Sequence, residues 1–99
     1  MSEDRKGDMT IWKYPLDVVG EQKITTPAAW KPIHVDHQDG RLTLWAEADP
    51  SEESGLEVTR TIVIVVTGHS FNAEGLTYIG SSLDPHRPLV WHVYEVDHA

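Results

Sequence analysis

The chain has 99 residues, enough for one small core and too few for two. Eight Lys and Arg against sixteen Asp and Glu give a net charge of −8, which repels nucleic-acid phosphates and anionic membrane surfaces. The absence of cysteine removes disulfides, thiolate zinc sites and a cysteine nucleophile, and 39% hydrophobic with 24% charged residues excludes wholesale disorder.

Residues 1–8 read as a polar disordered tail without the apolar run of a signal peptide, leaving 9–97 as a single β-rich domain. Met9–Tyr14 has the β-branched and aromatic content of a first strand, stopped by Pro15. Within it Trp12 and Tyr14 share one face, Ile11 and Lys13 the other. Gln22–Thr26 is a second short strand, and the prolines at 27 and 32 bar a long helix between them. Asp39-Gly40 lies between two alternating runs and predicts a two-residue hairpin turn with positive φ at both positions. That turn pairs Gln38 with Arg41, His37 with Leu42, Val35 with Leu44 and His34 with Trp45. Val35, His37, Leu42 and Leu44 then face the core.

The run from Asp49 to Gly55 reads as a solvated acidic loop, part of a stretch holding Glu47, Asp49, Glu52, Glu53 and Glu57 without a Lys or Arg. Leu56–Val66 is one long strand, apolar on both faces in its second half and therefore central. Its apolar run, Ile62–Val66, is far too short to span a bilayer. It stops at Thr67-Gly68-His69-Ser70. Residues 71–75 form a loop or at most one helical turn, 76–81 a short strand, 82–88 a turn-rich connection, and 89–96 a final strand. The expected fold is all-β (or β-rich α+β), a small antiparallel barrel or sandwich of about six strands with at most one short helix. Ile62, Val63, Ile64, Val65, Leu42, Leu44, Ile79 and Val93 should form its core.

Several strings occur in order at a characteristic spacing: Ile11-Trp12-Lys13-Tyr14-Pro15-Leu16, Leu44-Trp45-Ala46, Thr67-Gly68-His69, Tyr78-Ile79-Gly80 and Trp91-His92-Val93. As a set they resemble a family of small uncharacterised proteins encoded by bacteriophages and prophages. The resemblance covers most of residues 9–97. It implies a phage origin and an intracellular, cytoplasmic setting in the bacterial host, and it carries no catalytic mechanism.

Histidine is enriched, with six residues at 34, 37, 69, 86, 92 and 98. Metal binding needs converging imidazoles, and on a strand His34 and His37 point to opposite faces, so only His34 and Asp36 could share an ion. No metal site or cofactor is expected. Ser70 directly follows His69, Ser81 and Ser82 follow a glycine, and no nucleophile elbow surrounds any of them. The candidate binding site is the end of the sheet after the long strand: Thr67, Gly68, His69, Ser70, Tyr78, Gly80, Ser81, Trp91 and His92. A loop held by a buried strand is a rigid platform, and these side chains would give a pocket aromatic walls with hydroxyl and imidazole donors. Four tryptophans are present, and Trp12 and Trp45 either line an exposed sheet face or pack under residues 27–32.

The resemblance, together with the acidic composition and the missing catalytic signature, implies a domain that acts by non-catalytic binding to a host protein, in counter-defence or host takeover. The alternative is a binder of a small molecule, such as a nucleotide signal, near residues 67–81 and 91–92. A small hydrolase or metalloenzyme is a third reading. Nucleic acid and membrane are not expected partners, and a homo-oligomer is compatible with all three.

Overall fold

The computed structural model describes residues 8–51 and 57–97, so the tail residues 1–7 and the acidic positions Glu52 and Glu53 lie outside the described residues. Seven strands follow in order: β1 (Thr10–Pro15), β2 (Glu21–Thr26), β3 (Trp30–Gln38), β4 (Arg41–Ala48), β5 (Val58–Val66), β6 (Leu76–Leu83) and β7 (Val90–Val96). The described residues hold no helix. All ladders are antiparallel, in a three-stranded sheet of order β1-β4-β3 and a four-stranded sheet of order β2-β5-β7-β6.

The Asp-Gly hairpin forms as its chemistry requires. Asp39 and Gly40 have φ of 52° and 78°, and the ladder pairs Gln38 with Arg41, His37 with Leu42, Val35 with Leu44 and His34 with Trp45. Alternation then sorts β4: Leu42, Leu44, Ala46 and Ala48 are all within 1% of full burial and face the second sheet. From that sheet Ile62, Ile64 and Val93 meet them, and Leu16 closes one end, its N–H donating to Leu42 O at 2.8 Å. Two members of the expected core differ. Val63 lies on the outer face of its sheet and is only half-buried, and Ile79 is displaced by a bulge and packs at the margin of the core. Strand bounds also shift at prolines. Pro15 ends β1 inside the ladder opposite Thr43, and Pro32 sits within β3, because both strands are sheet edges where a missing N–H costs no ladder bond.

The two sheets touch along one side, where edge strands β3 and β6 lie together without sharing a ladder. Each carries a bulge, at Ile33 in β3 and at Ile79 in β6. Gly80 fits closely here: a Cβ on it would stand 3.1 Å from the Val35 side chain, which would have to give by a few tenths of an ångström. Beside this contact Ser82, buried, bridges the sheets. Its hydroxyl donates to Asp36 Oδ1 at 3.1 Å, so the 2.8 Å contact with His37 Nδ1 has the imidazole N–H as donor. The Asp36 carboxyl is held below the ordinary carboxylate range, first by the His37 backbone N–H and then by the Ser82 hydroxyl.

One end of the interior is polar. Arg60 stacks 4.6 Å over the Trp30 ring and donates to Glu95 Oε2 at 3.0 Å, Thr26 Oγ1 at 2.7 Å and Ala28 O at 3.3 Å. Trp30 in turn donates to the Tyr14 hydroxyl at 3.2 Å. Each guanidinium nitrogen of this largely buried pair thus has a hydrogen-bond partner, which helps offset the cost of taking the charges out of water. In the β6–β7 connection, Asp84 accepts from the Trp91 indole and from the backbone N–H groups of His86 and Arg87.

Replacing Ile64 by Ala should cost roughly 2–5 kcal/mol in denaturant unfolding, since its side chain fills the centre of the core and cannot be replaced by water. Asp84 supplies a pH test. The Trp91 and His86 donors hold its carboxyl well below the usual carboxylate range. Its stabilisation is therefore complete above the unfolded value near ~3.9 and is lost progressively as pH falls from there toward the folded value. The melting temperature of wild type should exceed that of Asp84→Asn at neutral pH, with the gap closing between about pH 4 and pH 2. A gap independent of pH would show that the charge is not involved.

Candidate functional site

The outer face of the four-stranded sheet carries the candidate residues. Thr67 N donates to Val90 O at 3.1 Å, which sets the β5–β7 ladder so that odd-numbered β5 residues exchange bonds with β7. Val65 then stands opposite His92 and Val63 opposite Tyr94. In β6 the bulge at Ile79 brings Ser81 opposite His92 and Tyr78 opposite Tyr94.

Four of the sequence-predicted residues come together there in one hydrogen-bonded line. The Tyr78 hydroxyl is 2.6 Å from Ser81 Oγ, Ser81 Oγ is 2.6 Å from His92 Nδ1, and His92 Nε2 is 2.7 Å from Thr67 Oγ1. Thr67 Oγ1 also donates to Val90 O at 3.4 Å. That carbonyl can only accept, so it favours one direction along the line. With its own proton committed to Val90, Thr67 accepts from His92 Nε2–H. His92 Nδ1 is then a bare acceptor, Ser81 donates to it, and Tyr78 donates to Ser81. Aromatic rings flank the line: Tyr94 stands 5.4 Å from Tyr78 and 5.3 Å from Phe71.

The other predicted residues fall elsewhere. Gly68 has φ of 99° and makes the turn after β5, closed by His69 N donating to Val66 O at 3.2 Å. The His69 ring and Ser70 are exposed and line a groove with Phe71. Gly80 faces the core against Val35 and does not reach the outer face. Trp91 also turns inward, opposite Val66, and its indole donates to Asp84 at 3.0 Å while its ring borders the same groove. The expected single pocket is thus two features side by side: a polar line and an apolar groove.

The groove has a volume of about 410 Å³. Its floor is Val63–Val66, and its walls are Val18, Val19 and Phe71. Each of the three wall residues is nearly half exposed. It exists because β2 stops at Glu21 opposite Val63 while β5 continues to Val66. Gly20 O takes the Ile64 N–H at 3.0 Å, and the chain then diverges, leaving a wedge beside the last residues of β5. Sequence reasoning passed over Val18 and Val19. Their signal was local: two β-branched residues between Asp17 and Gly20, where a turn would favour polar side chains.

The histidine pair of β3 gives little chemistry. His34 Nε2 lies 3.7 Å from Asp36 Oδ2, both largely exposed, and the His34 ring leans on Trp45. No group of three metal-ligating side chains occurs among the described residues. Trp12 borders a small cleft with Thr25–Pro27, Pro50 and Ser51, and Trp45 is half-buried between Lys13 and His34 on the outer face of its sheet.

The fold and this face define a two-sheet β-sandwich with a lateral groove. The chain belongs to the family described as a domain of unknown function (DUF7352), whose model matches residues 8–99. No curated protein and no solved structure matches it. No helix among the described residues is long and apolar enough to cross a membrane.

His69 separates turn from groove. Its backbone makes the turn while its ring only lines the groove, so His69→Ala should leave stability within about 0.5 kcal/mol of wild type by denaturant titration. A larger loss would place the imidazole in the fold itself.

Proposed function

We propose that this domain acts by binding a protein partner, which inserts an apolar side chain into the groove between residues 18–20, 63–66 and 69–71. The observation that carries this reading is the groove itself: an aliphatic floor, exposed valine and phenylalanine walls, and His69 as its one titratable lining residue. Exposed apolar side chains gathered around a concave floor are the usual form of an interaction site. The net charge of −8 favours a partner whose surface around the anchor is basic. The resemblance of the ordered strings to phage and prophage proteins supports a host protein as that partner and the bacterial cytoplasm as the setting.

A second reading is a small uncharged ligand in the same groove, supported by its volume, which lies in the range of small-molecule pockets of about 300–1,000 Å³. A nucleotide fits less well, because the lining offers no Lys or Arg to its phosphates.

The test compares wild type with Val19→Glu, an exposed substitution that leaves the core untouched. Wild type should recover one stoichiometric protein from host lysate, and the purified pair should bind at least tenfold more weakly with the variant. Equal binding by both would overturn the groove as the interface. Loss of binding with competition by a small apolar ligand would favour the second reading.

A further inference from the structure

We infer that Ser81 is a base-activated nucleophile, able to take the acyl group of a small uncharged ester, with His92 as its general base. The geometry meets the requirements of such a pair. The nucleophile and base are 2.6 Å apart, and the far ring nitrogen of the base is held at 2.7 Å by Thr67. The Val90 carbonyl, 3.4 Å from Thr67 Oγ1, favours the tautomer in which Thr67 donates to Val90 and accepts from Nε2–H. The nitrogen facing Ser81 is therefore the basic one. Thr67 is a positioning residue: it touches the imidazole and not the substrate.

Burial and access also fit. Ser81 and His92 are half-buried on the open outer face, and Tyr78, beyond Ser81, is 55% exposed, so an electrophile can approach from solvent. The apolar groove begins next to the base, since Val65 stands opposite His92 in the ladder and forms part of the groove floor. An acyl chain attached to Ser81 has aliphatic surface within reach. The charge of −8 disfavours phosphoryl and carboxylate substrates and leaves a neutral ester as the matching class.

In the reaction, Ser81 Oγ attacks the ester carbonyl carbon while its proton passes to His92 Nδ1. The oxyanion of the tetrahedral intermediate accepts from the Tyr78 hydroxyl. Collapse breaks the bond to the alcohol oxygen, which leaves with the proton from His92. Water then attacks the acyl-serine, giving a proton to the bare Nδ1. The second intermediate collapses to the carboxylic acid as Ser81 regains that proton.

The experiment uses the full chain with p-nitrophenyl acetate and with a fluorophosphonate probe, read by phenolate release and by peptide mass. The acetyl group is too small to need the groove, so the outcome does not depend on what docks there. The probe should add to Ser81, and Ser81→Ala should lose both the adduct and the phenolate release. His92→Gln, checked for folding by its melt, should slow labelling by about 10²–10⁴-fold, the usual contribution of a general base. Thr67→Val should slow it while Thr67→Ser restores it. A rate unchanged in Ser81→Ala, an adduct on another residue, or no adduct on folded wild type would each overturn the inference.

Discussion

One extra residue in β6 decides what this domain can present. Without the bulge at Ile79, the alternation that starts from Tyr78 opposite Tyr94 would set Ser81 opposite Trp91, facing the core, and turn Ser82 outward. With it, Ser81 lies beside His92 on the outer face and Ser82 lies beneath β3, bonded to Asp36 and His37. The same residue brings Gly80 close against Val35. A second bulge, at Ile33, does the matching work in β3. Counted straight from Pro32 opposite Ala46, Val35 would face solvent; the inserted residue turns it to the core. The seam and the polar line are thus two consequences of register.

This explains which parts could be read from the sequence. The Asp39-Gly40 turn is local, so counting outward from it reaches His34 with the correct pairing, because the bulge lies beyond that point. The central character of β5 is carried by its own apolar run, and the placement of Ile62 and Ile64 follows from alternation within one strand. A bulge is different. It is defined by the partner strand, and neither Ile33 nor Ile79 differs in type from an ordinary strand residue. Hence the sequence points Ile79 to the core and Gly80 to a binding site, whereas the small size of Gly80 serves the contact with Val35. The chemistry of Thr67, Ser81 and His92 and their shared end of the sheet are legible in the sequence. Their bonding in one line needed the ladder register.

Proton direction is likewise a long-range property. Hydroxyls and a neutral imidazole can each donate or accept, so Tyr78, Ser81, His92 and Thr67 alone permit either polarity. The Val90 carbonyl, 3.4 Å from Thr67 Oγ1, favours one of them. At the seam a carboxylate does the same for Ser82 and His37, through Asp36 Oδ1. The two serines that adjoin in sequence therefore differ in role. Ser82 is buried, with its proton given to a carboxylate that keeps it unreactive. Ser81 is half-exposed, with its proton given to a base.

The groove follows from how an open sandwich handles its strand edges. Unpaired edges invite association, and each edge here meets the problem differently. β3 and β6 cover one another at the seam. β2 carries Glu21 and Lys23 on its exposed side, and β1 carries Lys13, held by Gln38 Oε1 at 2.7 Å, and ends in Pro15. The last residues of β5 have no such device. β2 has ended, Gly20 O satisfies only the Ile64 N–H, and the alternation set by Thr67 and Val90 turns the Val66 N–H toward the same side. Apolar walls then gather around an edge that neither charge nor proline guards. An edge left open at one place, in a chain that shields its other edges, is best explained by something that binds there.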